Sequence, residues 1–290
     1  MTTIKTTLMG LAAGLLLSIA PAAAAEQAAA GHEEHYQIPR LKWTWGGIFG
    51  YFDQQQLRRG FKVYKEVCSN CHNLGLLSYR NLGEPGGPGF SPEEVKAIAA
   101  EVQVFEGFDE QGNIAMRAGR PADNFVWKFK NAKEAAAAFG GAVPPDLSLI
   151  TRARGIEREF HWYEYPLVMA KDLATQYQEQ GADYLHALLL GYVDLPAGRK
   201  IADGLNYNRV FPGNQLAMPQ PLSDGQVEYG DGTPNTLDQE AKDVTAFLGW
   251  AAEPHLAERK KMGVWVIVYL AVLAGLLLLS KKVLWRNIEH

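Results

Sequence analysis

The sequence predicts a mainly α-helical protein with long irregular loops and one C-terminal transmembrane helix, on three observations. Two stretches repeat apolar residues at helical spacing, Leu57, Phe61, Tyr64 and Cys68 in the first and Leu237, Ala241, Val244, Leu248 and Ala251 in the second. Each set lines one face of a helix. Between them lie segments rich in glycine, proline and asparagine that keep no period, the longest being 194–235. Toward the end, Met262–Ser280 runs 19 residues without a charge, about 28 Å as a helix and enough to cross the apolar layer of a bilayer. With 290 residues, 47% of them apolar and 21% charged, there is material for one or two domains with a proper core.

The first residues read as a secretory signal. Lys5 is the only charge before Glu26, Leu8–Ala20 is a short apolar core, and Ala22–Ala25 supplies small residues for cleavage after Ala25. That core is too short to span a bilayer comfortably, an uncleaved N-terminal anchor being the alternative. The chain then divides into a signal at 1–25, an exported body at 26–258, an anchor at 262–280 and a tail at 281–290.

Within the body, Glu26–Glu34 is a polar lead, and Ile38–Phe52, with Trp43, Trp45, Phe49, Tyr51 and Phe52, packs as irregular structure. Asp53 and Gln56 form a capping-box pattern that opens the first helix. Residues 83–92 are a glycine- and proline-rich loop, and Ser91, Pro92 and Glu94 start a short helix over 93–104. Gly107–Asn124 is polar and turn-rich, whereas Asn131–Phe139 holds four consecutive alanines and is helical by propensity. The prolines of Pro144-Pro145-Asp146-Leu147-Ser148 fix two φ angles and suit a rigid apolar wall. The aromatic run Phe160–Tyr165 leads into helices over 166–181 and 184–192. Thr236 with Gln239 makes a second capping box, and that helix ends before Pro254.

A short basic linker reaches the anchor, whose flanks carry Trp265, Tyr269 and Trp285 as interface-seeking aromatics. Arg259, Lys260 and Lys261 precede the span and Lys281, Lys282 and Arg286 follow it, so the positive-inside rule gives no orientation. The signal gives it instead, with the body exported and the tail in the cytoplasm.

Chemistry concentrates in Cys68-Ser69-Asn70-Cys71-His72. C-x-x-C-H is the pattern by which a c-type haem is attached, the thiols forming thioethers and the histidine reaching the iron. The chain has two cysteines, and both are here. A disulfide or a redox-active dithiol is the alternative, and it leaves His72 without a role.

The second axial group decides the chemistry. A methionine raises the potential and closes the site, whereas an open position binds oxygen or peroxide. Met169 falls in a helix-like stretch, where methionine fills cores, and Met116 lies in a polar segment. Met218 lies in a loop held by Pro212 and Pro219, as a ligand loop should be held, and residue chemistry favours it. His32, His35, His161, His186 and His255 are the rival ligands. Arg152 and Arg154 are candidate partners for haem propionates, since a guanidinium pairs with carboxylates in a fork. The body carries 21 Lys and Arg against 31 Asp and Glu, a net charge of −10, which repels nucleic acid and attracts basic partners.

Taken together, these motifs resemble the bacterial type of cytochrome c1, the haem subunit of the ubiquinol–cytochrome c oxidoreductase (bc1) complex. The resemblance runs through Gln56-Leu57-Arg58-Arg59-Gly60-Phe61, Val63-Tyr64, the haem motif, Ser78-Tyr79-Arg80, Pro144–Ser148 and Arg152-Ala153-Arg154. It continues in Phe211-Pro212-Gly213, Ala217-Met218-Pro219, Asp231-Gly232-Thr233-Pro234, Ala241-Lys242-Asp243-Val244 and Trp250-Ala251-Ala252-Glu253-Pro254. It implies a cytochrome c-like domain with one covalently bound haem c. Cys68 and Cys71 would carry the thioethers, His72 and Met218 the axial bonds, Arg154 a propionate, and Pro145 would pack on the haem.

The implied role is one-electron transfer from the Rieske iron–sulfur protein to a soluble cytochrome c, with cytochrome b beside it. The setting is a bacterial inner (cytoplasmic) membrane, with the haem domain in the periplasm and the C-terminus in the cytoplasm. Such a subunit performs no bond chemistry of its own; enzyme status belongs to the assembly. A haem enzyme or gas sensor with an open sixth site is the alternative of a different class. A subunit of another membrane oxidase or reductase is the other. Two departures stand out: no cysteine remains for the extra disulfide some relatives carry near the ligand loop, and Gly155–Ala182 looks like a bacterial insertion.

Overall fold

The computed structural model describes residues 36–156, 160–175 and 180–287; the signal-like residues 1–25, with His32 and His35, lie outside them. Eight helices are described: α1 (Gln54–Glu66), α2 (Pro92–Ala100), α3 (Ala132–Ala138), α4 (Ile150–Ala153), α5 (Tyr165–Thr175), α6 (Gly181–Leu190), α7 (Leu237–Ala252) and α8 (Leu256–Leu284). Two antiparallel ribbons interrupt them, β1 (Gln103–Phe108) with β2 (Ile114–Ala118), and β3 (Asn206–Tyr207) with β4 (Gln215–Leu216). The fold is mainly helical, as the sequence predicts, with long irregular connections.

The core forms where α1 crosses α7. Leu57, Phe61 and Tyr64 of α1 are buried, as are Val244, Phe247 and Trp250 of α7, and Phe61 meets Phe247 edge to face at 5.6 Å. The backbones touch at Gly60, where a Cβ would stand 2.0 Å from the Asp243 carbonyl oxygen. Beside that contact the fully buried Asp243 carboxylate accepts from Arg59 Nε at 2.7 Å, Gln56 Nε2 at 3.1 Å and Gln239 Nε2 at 2.8 Å. Arg59 also reaches Asp231 at 2.8 Å. Burial is expensive for a lone carboxylate, and these donors offset it.

This convergence explains why two expected capping boxes close only halfway. Asp53 accepts from Gln56 N at 2.7 Å, and Thr236 accepts from Gln239 N at 3.3 Å. The returning glutamine side chains are drawn instead to the buried Asp243. At α2 no buried carboxylate draws the side chain away, and Ser91 and Glu94 make both reciprocal bonds, at 3.2 and 2.7 Å.

The expected helix over 93–104 is shorter than its pattern suggested. It stops at Ala100, and Gln103–Phe108 pairs with Ile114–Ala118 across a turn tied by Asp109, whose carboxylate accepts from Gln111 N and Asn113 N at 2.9 and 2.8 Å. Val102 and Val104 alternate with polar neighbours, and with Phe105 they suit a ribbon better than a further helical turn. The ribbon base is clamped by Arg117, which grips Asp123 with two parallel bonds of 2.6 and 2.7 Å.

Irregular packing holds for Ile38–Phe52. Trp43 stacks on Trp45 at 4.6 Å, Trp45 lies 5.0 Å from Phe52, and Trp43 Nε1 donates to Asp183 at the start of α6 at 2.8 Å. The basic linker is not a separate segment. Arg259, Lys260 and Lys261 lie inside α8, a single helix of 29 residues, because lysine and arginine are themselves good helix formers. No part of its apolar window is buried, and by length and composition it is able to cross a membrane. Lys260, by contrast, is buried and donates to Gly47 O at 2.6 Å and to Trp45 O.

Gly60→Ala gains helix propensity but drives a methyl into the Asp243 carbonyl. It should cost about 3 kcal/mol, the upper range of overpacking, read as a lowered urea midpoint; an unchanged midpoint would show that the crossing yields. The Arg117 and Arg120 partners hold Asp123 at about 2, below the ordinary 3.8. A carboxyl whose folded value is depressed contributes stability above its unfolded value and loses it as pH falls toward the folded one. Unfolding midpoints of the wild type should therefore fall more steeply between pH 4 and pH 2 than those of Asp123→Asn; parallel curves would refute the pairing.

Candidate haem site

The haem motif is the C-terminal cap of α1. Helix ends leave carbonyls without partners, and here the two residues between the cysteines supply them. Ser69 Oγ donates to Lys65 O at 2.6 Å, and Asn70 Nδ2 donates to Glu66 O at 2.9 Å. The chain then tightens around the Cys68 carbonyl, which accepts from Cys71 N at 3.1 Å and His72 N at 2.9 Å. Trp127 Nε1 donates to Cys71 O at 2.8 Å from a distant loop. Cys68 packs against the core, and the two cysteines form no disulfide.

Burial pushes the Cys68 thiol up to about 12, with Cys71 adding to the rise, and burial raises Cys71 as well. A redox-active dithiol needs a depressed thiol pKa. The shift here has the opposite sign.

His72 is oriented by the proline wall. Its Nδ1 lies 2.8 Å from Pro145 O. A carbonyl only accepts, so the ring proton sits on Nδ1 and the Nε2 lone pair is left outward for a metal. Burial lowers the His72 pKa against the opposing Pro145 bond, so the ring is neutral at pH 7 as a ligand must be. The wall is fastened to the haem turn by further bonds. Leu147 N donates to Asn73 O at 2.8 Å, Gly75 N to Asp146 Oδ2 at 2.8 Å, and Leu76 N to Ser148 Oγ at 3.1 Å.

The remaining candidates separate clearly. Arg152 is held by Glu253. Arg154 follows α4, is exposed, and stands close enough to Tyr184 for its charge to be felt at the phenol. Met218 is half-buried two residues beyond β4, and its carbonyl accepts from Tyr192 Oη at 2.9 Å. Met116 is exposed on β2, and Met169, expected to fill a core, is exposed on α5. His186 is buried against Asp238 at 3.1 Å, while His161 and His255 are exposed. The structure thus joins Cys68, Cys71, His72 and Pro145 in one hydrogen-bonded unit and sets Arg154 and Met218 on other loops. Trp127, Tyr192 and the Asp146 carboxylate were not singled out for these roles; a lone tryptophan or tyrosine in a loop carries no spacing signal.

These residues fit a haem. The donor set is two thiols and an oriented imidazole, and among the described residues no cluster of three or more His, Cys, Asp or Glu offers a rival metal site. Segments tied to the motif leave Leu76, Val126, Val143 and Leu149 exposed, apolar surface of the kind that marks a binding site.

A helical domain whose first helix ends in an oriented C-x-x-C-H turn defines a c-type cytochrome. The comparisons narrow the class. Residues 43–288 match the model of the Cytochrome C1 family. The chain is 42% identical to cytochrome c1 of Blastochloris viridis, over 95% of this chain and 94% of that one. It is 42% identical to a mitochondrial cytochrome c1 heme protein of Solanum tuberosum, over 87% and 86%. It is also 48% identical to the cytochrome b/c1 protein of Bradyrhizobium diazoefficiens, covering 90% of this chain but 37% of that longer one. The chain belongs to the cytochrome c1 family, whose members are haem c electron-transfer subunits of the bc1 complex.

Asp146→Ala removes the acceptor of two backbone N–H groups, those of Gly75 and Ser148. It should lower stability by about 1–2 kcal/mol in urea unfolding; an unmoved midpoint would mean that the wall stands without this bond.

Proposed function

We propose that this chain passes single electrons from a Rieske iron–sulfur protein to a soluble cytochrome c, within a bc1-type complex and beside cytochrome b. The observation that carries the reading is the His72–Pro145 bond, which orients the imidazole of the motif and so supports it as a ligand. One haem c supplies a reversible one-electron couple when bound. Cys68 and Cys71 would hold it by thioethers and His72 and Met218 would ligate the iron, with Pro145 packing on the group and Arg154 pairing with a propionate. A methionine on the second side keeps water and small ligands away, so the residues around the site transfer charge and leave bonds intact.

In this reading α8 crosses the bacterial inner membrane once, through 262–280. The signal at 1–25 carries the body, 26–258, to the periplasm, and the tail at 281–290 stays in the cytoplasm. The net charge of −10 on the body draws a basic cytochrome c by long-range attraction, which makes the encounter salt-sensitive.

Purification in mild detergent tests the assembly: the chain should co-elute with a b-type cytochrome and a Rieske protein, and elution alone would reject the complex. Met218→Leu tests the coordination. The reduction potential should drop by some tenths of a volt, within the span of about 0.8 V that axial ligands command, and the reduced iron should admit carbon monoxide. An unchanged potential and spin state would reject Met218.

A further inference from the structure

The loop that carries Met218 is fastened at three points. Upstream, β4 pairs with β3, Leu216 facing Asn206, and the turn before it is fixed by Gly213 and Asn214, both with positive φ. Downstream, Leu222 is buried in the core and its carbonyl accepts from Gln220 Nε2 at 2.9 Å. Between these ends lie Ala217-Met218-Pro219-Gln220-Pro221. The two prolines have no N–H to give. The tether in the middle is the Tyr192 hydroxyl, donating to the Met218 carbonyl at 2.9 Å.

Tyr192 is itself held in place. It forms an antiparallel bridge with Asn208 just after α6. Asn208 is fully buried; its Nδ2 donates to Leu188 O at 2.9 Å, and its Oδ1 accepts from Val210 N at 2.9 Å and Phe211 N at 3.2 Å. Asn214 Nδ2 returns to Asn208 O at 3.1 Å. Gly191 permits this approach, since a Cβ there would lie 2.5 Å from Asn208 Oδ1. One buried asparagine therefore ties the end of α6, the foot of the ribbon and the tyrosine together.

We infer that Tyr192 is a positioning residue for the sixth ligand: its hydroxyl, set by Asn208, fixes the Met218 backbone and with it the reach of the thioether. The inference rests on Met218 being the axial group. With the hydroxyl gone, the span between Leu216 and Leu222 keeps only its ends, and a loop with fewer fixed points spends more time with the sulfur withdrawn.

The test compares Tyr192→Phe and Met218→Leu in the haem-loaded full chain, solubilised in detergent. Tyr192→Phe should raise the affinity of the reduced iron for carbon monoxide about tenfold, the scale of one lost hydrogen bond. It should weaken the methionine–iron charge-transfer absorption and place the potential between those of the wild type and Met218→Leu. Urea unfolding should move far less than the ligand readouts, because the ring and its packing remain. Wild-type affinity, absorption and potential in Tyr192→Phe, beside a clear change in Met218→Leu, would overturn the positioning role and leave the ligand assignment standing. Wild-type behaviour in both variants would overturn the Met218 assignment and the positioning role together.

Discussion

The crossing of α1 and α7 is the constraint on which the rest depends. Gly60 lets the two backbones meet, and Asp243 receives Gln56, Arg59 and Gln239 at the same place. A charge buried this fully is tolerated only while its donors stay in register. The crossing therefore sets the direction of α1 as well as its depth. The haem turn stands at the far end of that helix, and α7 leads through three residues into α8. One buried carboxylate thus fixes both the aim of the cysteines and the start of the long apolar helix.

The two faces of the site are built by different means. On the histidine side the chain is cross-linked by backbone bonds: the Cys68 carbonyl gathers two amides, Pro145 O orients the imidazole, and Asp146 and Ser148 sew the wall to the turn. Ser69 and Asn70, the variable letters of the motif, close the helix end. The methionine side is a stretch of loop between a two-residue strand and a buried leucine. Under the proposed ligation, rigid attachment would suit a histidine that stays on the iron, and a methionine on the looser loop would shift the couple toward the reduced form.

Much of this was legible in the sequence because it is written in local periods and caps. The faces of α1 and α7, the Ser91 box and the apolar C-terminal helix follow from spacing alone. The features that were not legible are long-range. Gln56 and Gln239 read as capping residues, and only the buried Asp243, 187 residues from Gln56, explains why they turn away. The β1–β2 ribbon was hidden because Val102–Phe105 continues the preceding helix in composition, and strand pairing reveals itself only with the partner strand. At the site, Cys68, Cys71 and His72 announced themselves by pattern. Trp127 and Tyr192 contribute a single hydrogen bond each to a carbonyl, and no pattern in the chain marks a residue whose partner is another residue's backbone.

Lys260 lies in the first turns of α8 yet is buried, with its ammonium on the carbonyls of Trp45 and Gly47, inside the stacked aromatic segment that also binds Asp183. The junction between the globular part and the long helix is therefore a soldered bracket, with no free swivel. With α8 in a membrane, as proposed, a redox centre mounted this way would keep its elevation over the plane its stalk enters. Travel to bring donor and acceptor within tunnelling range would then fall to the molecules that visit it.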